Sequence, residues 1–63
     1  MKILKVGDVV RALDIAFKPS ENDYGIILDV YEDDYGIYYY EVRFAKQVDW
    51  CKRNELELIS ESI

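Results

Sequence analysis

Short runs of alternating apolar and polar residues, separated by polar turn residues, fill most of this chain. The first run, residues 9–13, follows a Gly-Asp turn signal and is rich in β-branched side chains, so it predicts a strand. Residues 14–23 contain a proline and a Ser-Glu-Asn-Asp cluster, which predict a loop. A loop of that length in so small a chain often carries binding residues.

The stretch YGIILDVY, residues 24–31, gives the strongest strand signal. Regular alternation predicts two faces, with Ile26, Leu28 and Val30 on one and Ile27, Asp29 and Tyr31 on the other. The EDDYG stretch that follows predicts a tight turn, with Gly36 in a positive-φ conformation.

Three consecutive tyrosines lie in the third predicted strand, residues 37–44. Successive strand side chains face opposite sides, so the three cannot share one core. One face carries no charge and is the predicted core face: Tyr38, Tyr40, Val42 and Phe44. Tyr39 shares the other face with Ile37, Glu41 and Arg43, so we expect Tyr39 to be at least partly exposed.

The end of the chain predicts two more short strands. Residues 48–52 form the fourth, and residues 56–59 form the fifth after a single helical turn capped by Asn54. Five short strands predict an all-β barrel or sandwich, and closure into a barrel is favoured because it removes exposed sheet edges. Residues 1–63 are expected to form one complete domain with a small core.

Composition and charge narrow the class of partner. The chain is 51% hydrophobic and 14% aromatic, which is too apolar for a disordered chain even at a net charge of −5. Residues 1–18 carry a charge of +2, residues 19–42 carry −7, and residues 43–63 are neutral. The acidic middle repels nucleic-acid phosphate and would steer a basic partner.

The cysteine content and the hydropathy of the chain indicate in which cellular compartment the protein is expected. Cys51 is the one cysteine, so an internal disulfide is excluded, and a lone thiol fits a reducing compartment. Lys5 and Asp8 interrupt the opening segment, which is too short for a signal-peptide core. No apolar run approaches the roughly 20 residues of a membrane helix. We therefore expect a cytoplasmic protein that does not contact a membrane.

Catalytic and metal chemistry find little support in the sequence. There is no histidine to act as a general base. Cys51 has two basic neighbours in sequence, but adjacent strand residues face opposite sides, and a small half-buried side chain is the favoured interpretation. The three acids at positions 32–34 lack EF-hand spacing and favour a solvated hairpin tip. We expect no enzymatic activity, catalytic residue, metal site or cofactor.

The order of signals, VGDVVRAL, YGIILDV after a long loop, YYYEVRF, VDW and ELELIS, resembles the SH3-like small barrels of the KOW, Tudor and accessory-subunit kind. The resemblance covers roughly residues 5–60. The chain is similar to photosystem accessory subunits, chromatin readers and small phage-encoded barrels alike. The resemblance therefore implies a five-stranded SH3-like barrel and no single function.

Aromatic residues beside carboxylates form the candidate partner-binding site, because such rings attract Arg, Lys or methylated ammonium groups. The predicted site comprises Tyr24, Tyr31, Tyr39, Trp50, Asp29 and Glu41. Tudor-like barrels form a comparable cage. SH3 domains proper use Tyr and Trp for proline-rich peptides, but their paired tyrosines and double tryptophan are missing here. For Trp50 a core position is favoured over display, because so short a chain needs its largest apolar side chain inside.

Three functions stay open at this point. The favoured one is an interaction module that binds a basic or methylated segment of a partner protein. The second is a structural accessory subunit of a larger assembly. The third, a nucleic-acid binder, would use five basic residues: Arg11, Arg43, Lys46, Lys52 and Arg53. The acidic middle of the chain makes nucleic acid the least favoured partner.

Overall fold

The structure, a computed structural model, describes residues 3–13 and 23–62. Its elements are β1 (Val9–Ala12), β2 (Tyr24–Glu32), β3 (Tyr38–Phe44), β4 (Val48–Lys52), a 3-10 turn (Arg53–Glu55) and β5 (Leu56–Ser60). Each strand predicted from the sequence is present, and no boundary differs by more than one residue. The predicted loop over residues 14–23 falls outside the described residues except for its last position.

The five strands form one antiparallel sheet in the order β4-β3-β2-β1-β5. The all-β prediction is confirmed. In this order β4 and β5 lie at the two edges and no ladder joins them, so closure into a barrel stays a prediction. Across residues 3–13 and 23–62, no helix has the length and apolar character needed to cross a membrane.

The core lies on one face of this sheet, and β3 supplies its largest side chain. Tyr40, Val42 and Phe44 are buried, and Tyr38 is half-buried against them, so the predicted core face of β3 is confirmed. The other buried apolar side chains are Leu4, Val10, Ala12, Ile27, Cys51 and Leu56. The Tyr40 hydroxyl accepts a hydrogen bond from the Leu4 backbone N–H at 3.3 Å, which gives its buried polar atom a partner.

A β-bulge in β2 overturns the faces predicted for that strand. Ile27 pairs with Val42 and Asp29 pairs with Glu41, so Leu28 is an extra residue opposite a regular stretch of β3. The extra residue inverts the alternation, and Ile27 and Val30 therefore both face inward. Ile26 and Leu28, predicted to share a face with Val30, are instead exposed.

Asp8 joins the two ends of the described chain. It is fully buried, and its carboxylate accepts hydrogen bonds from the backbone N–H groups of Lys5 at 3.0 Å and Ser62 at 2.7 Å. The Lys5 ammonium lies 3.3 Å from the same carboxylate. Gly7 permits this arrangement because its φ is +94° and a Cβ there would lie 2.8 Å from the Ser62 Oγ.

The turn before β5 is capped differently from the sequence prediction. Asn54 lies inside the 3-10 turn, not at its start. The Glu55 carboxylate accepts the Lys52 backbone N–H at 2.7 Å instead. The turn also supports β1, because the Glu55 carbonyl accepts the Leu13 N–H.

Candidate binding surface

Trp50 is displayed on the outer face of the sheet, so the favoured core position for this residue is wrong. Its side chain is 47% exposed, whereas its neighbour Cys51 is buried. Adjacent strand residues face opposite sides, and Cys51 occupies the inward position beside Tyr40, its partner in the ladder. The core is therefore closed by a small residue from β4, and the large one faces outward.

The pairing of the strands arranges the outer face in cross-strand rows. Tyr31 pairs with Tyr39, and Tyr39 pairs with Lys52. In the next row, Asp29 pairs with Glu41, which pairs with Trp50. Five of the six residues predicted for the site are thereby brought together: Tyr31, Tyr39, Trp50, Asp29 and Glu41. Tyr39 is half-buried, as the sequence predicted.

The outer aromatic cluster, defined as Tyr31, Tyr39 and Trp50, lines a shallow concavity of about 350 Å³. The Tyr31 and Tyr39 rings are 6.3 Å apart between centroids and tilted by 36°. This separation is within the range for favourable ring contact, so the two tyrosines support each other at one side of the concavity. Trp50 lies on the opposite side, on the edge strand.

Two carboxylates border the cluster. Asp29 and Glu41 lie directly opposite each other across the β2–β3 ladder, where side chains are close neighbours. One Asp29 oxygen accepts the Val30 backbone N–H at 2.8 Å. Among the residues that the structure describes, neither carboxylate forms an ion pair. The concavity thus has aromatic walls and negative charge beside them.

Tyr24, the sixth predicted site residue, is not part of this surface. It is exposed at the start of β2 and pairs with Arg11 of β1. Tyr31 lies seven positions further along the chain, which corresponds to about 23 Å along an extended strand. The sequence linked the two tyrosines because both flank the same strong strand signal.

Sequence reasoning missed two features of the outer face. Lys52 completes the row of Tyr31 and Tyr39, and regular alternation from Trp50 along β4 could have placed it there. Ile26, Leu28 and Val48 add exposed apolar surface toward the other end of the sheet. Ile26 and Leu28 face outward while Val30 faces inward because of the bulge, and no local sequence signal predicts that bulge.

Comparison of the chain with known protein families, with curated proteins and with solved structures finds no match.

The basic residues that a nucleic-acid site would need are dispersed. Arg11 forms an ion pair with Glu57, at 2.9 Å between guanidinium and carboxylate. Arg43 and Lys52 lie at opposite ends of the β3–β4 ladder, where Arg43 pairs with Val48 and Lys52 pairs with Tyr39. Arg53 donates a hydrogen bond to the Leu56 carbonyl. These positions form no continuous basic stripe of the kind that tracks a phosphate backbone.

A second, larger concavity of about 480 Å³ lies between the β2–β3 hairpin and the 3-10 turn. Its walls include Ile3, Ile37, Tyr38 and Tyr40. The negative charge of Glu32 raises the pKa of the Tyr38 phenol, and partial burial and a hydrogen bond to the Glu32 carboxylate act in the same direction. Across the described residues, no three metal-ligating side chains lie together.

Proposed function

We propose that this protein is a non-enzymatic interaction module that binds a basic segment of a partner protein on the outer aromatic cluster. The observation that carries the proposal is the register that brings Tyr31, Tyr39 and Trp50 beside two carboxylates. Aromatic faces attract cations, and adjacent carboxylates strengthen that attraction. Exposure of Trp50 at 47% is also unusual in a chain this short, where its burial would stabilise the core.

The fold proposed with this function is an SH3-like barrel. The strand order β4-β3-β2-β1-β5 places the 3-10 turn between the two edge strands. Contacts of that turn with β3 on one side and Leu13 on the other favour a sheet that rolls toward closure. We propose a cytoplasmic location on the ground of the single reduced thiol, Cys51.

Trp50 provides the direct test, because it is the one tryptophan of the chain and lies in the proposed site. The protein is titrated with a basic peptide and with an acidic peptide of equal length while Trp50 fluorescence is followed. The proposal expects saturable binding of the basic peptide only, which weakens with added salt. An isotope-labelled sample should show backbone shifts within the outer aromatic cluster and its bordering carboxylates, above all at Trp50 and Glu41. Shifts confined to other parts of the sheet would contradict the proposal.

A second candidate function, a structural accessory subunit, is favoured by the exposed apolar residues Ile26, Leu28 and Val48. Such a subunit would dock the outer face on a larger assembly and need no basic ligand. The two functions differ in salt dependence, because apolar docking persists at high salt. Co-purification from the native host at about 50 mM and about 500 mM salt, roughly threefold below and above physiological ionic strength, distinguishes the two functions.

A further inference from the structure

We infer that the ligand of the outer aromatic cluster is an unmethylated arginine side chain, whose guanidinium stacks on Trp50 and binds Glu41 and Asp29. This inference rests on the proposed function and names the chemistry that the surface selects. The evidence for it is that Asp29 and Glu41 lie directly opposite each other in the sheet and that Glu41 lies beside the exposed Trp50.

The opposition of Asp29 and Glu41 is unfavourable in the free protein. Like charges directly opposite each other in a sheet destabilise it, and the described residues place no countercharge in an ion pair with either. A cation placed between them would remove that repulsion. The pair is thus better suited to the bound state than to the free state.

The guanidinium group matches this arrangement in shape. It is planar, stacks on aromatic faces, and presents five N–H donors in a rigid fork. Glu41 and Trp50 are cross-strand neighbours, so one guanidinium can stack on the indole and donate to the carboxylate beside it. A second edge of the same group faces Asp29, the other neighbour of Glu41.

The same geometry disfavours methylated ammonium groups. A trimethylated lysine has no N–H to donate, and its recognition depends on several rings that enclose it. Here Tyr31 and Tyr39 pack on each other at 6.3 Å, and the concavity is shallow. Two carboxylates would also lose solvation against methyl groups with no hydrogen bond in return.

Lys52 directs the ligand to the row of Trp50. It lies opposite Tyr39, so a cation that approached that row would meet a like charge. The row that contains Glu41 and Asp29 has no basic residue on β2, β3 or β4. Arg43 lies two residues beyond Glu41 on the same outer face, which limits the extent of the favourable region toward the other end of the sheet.

The first experiment compares four peptides of one sequence that carry arginine, lysine, trimethyllysine or asymmetric dimethylarginine at the central position. Affinity for the full chain is measured by Trp50 fluorescence and calorimetry. We expect arginine to bind about tenfold more tightly than lysine, because its charge-assisted hydrogen bonds can be bidentate. Equal affinities for arginine and lysine, or tightest binding of a methylated peptide, would overturn the inference. Failure of all four peptides would instead overturn the proposed function.

The second experiment uses Glu41→Gln, with Asp34→Asn as a control that removes the same charge from the exposed hairpin. Glu41→Gln should weaken the arginine peptide about tenfold, while it raises the thermal midpoint of the free protein by relieving the repulsion from Asp29. Asp34→Asn should change affinity by less than about twofold. An unchanged affinity in Glu41→Gln, or a lowered midpoint, would contradict the inference.

Discussion

The Asp8 carboxylate accepts the backbone N–H of Ser62 at 2.7 Å, although 54 positions separate the two residues in the sequence. The same carboxylate accepts the Lys5 backbone N–H and pairs with the Lys5 ammonium. Asp8 is fully buried, whereas the Lys5 side chain is about half exposed, so water is excluded from the carboxylate but still reaches the ammonium. The two ends of the described chain are thereby fixed to one anionic group.

Replacement Asp8→Asn should destabilise the fold by about 2 to 4 kcal/mol. The asparagine amide would turn an N–H₂ group toward donors that now meet an anionic oxygen, and it would leave the Lys5 ammonium without its partner. Urea unfolding, followed by Trp50 fluorescence and by circular dichroism, measures the change. Asp34→Asn is the matched control and should stay within about 0.5 kcal/mol of the parent, because Asp34 is exposed.

The stabilisation from Asp8 should depend on pH. Burial raises the Asp8 pKa, but hydrogen bonds from the Ser62 and Lys5 backbones and the Lys5 ammonium outweigh it and leave the pKa lowered. A carboxyl with a lowered folded-state pKa stabilises the fold above its unfolded-state pKa, about 4, and loses that contribution as pH falls further. The stability gap between parent and Asp8→Asn should therefore shrink from pH 7 to pH 3. A gap that stays constant over this range would contradict the assignment.

Gly25→Ala should destabilise the protein through steric overlap and not through backbone strain. A Cβ at this position would lie 2.6 Å from Val42 Cγ1 and 2.9 Å from the Arg43 carbonyl oxygen. Such overpacking costs about 1 to 3 kcal/mol. Ile26→Thr, on the opposite face of the same strand, is the control and should have a smaller effect on the urea midpoint. A neutral Gly25→Ala would show that the β2–β3 pair can separate there without cost.

Glu32→Gln should lower the pKa of Tyr38 toward its ordinary value, because the Glu32 charge is the main cause of the upward shift. Tyr38 keeps its proton longer in the folded state, so stability declines as pH rises through the unfolded-state pKa of about 10. The variant should show a weaker decline. Ring resonances of Tyr38, followed by NMR from pH 8 to about 12, give the pKa directly. An unchanged titration in Glu32→Gln would exclude the carboxylate as the cause.

The parts of this fold that were predictable from the sequence are those set by local alternation. The charge-free face of β3 identified Tyr40, Val42 and Phe44 as core because period-2 alternation continues unbroken through that strand. The facing of β2 could not be obtained this way, since the bulge at Leu28 arises from pairing with β3 and with residues 7 and 8.

The site was predictable in membership but not in arrangement. Tyr39 and Glu41 follow from the facing of β3, whereas the position of Trp50 was misjudged from its size alone. Its neighbour Cys51 contacts the core and thereby decides the facing of β4. The separation of Tyr24 from the cluster, and the role of Asp8, depend on partners that are distant in sequence.

The bulge at Leu28 divides β2, the central strand, into two segments. The alternation of inward and outward side chains in one segment does not continue into the other. Loss of one residue from an ordinary strand turns all later side chains to the opposite side of the sheet. At Leu28, loss of the extra residue would instead restore regular phasing, with Ile27 still inward and Tyr31 still outward. The length of β2 can therefore change by one residue at this position without exchanging the hydrophobic interior and the exposed exterior of the sheet.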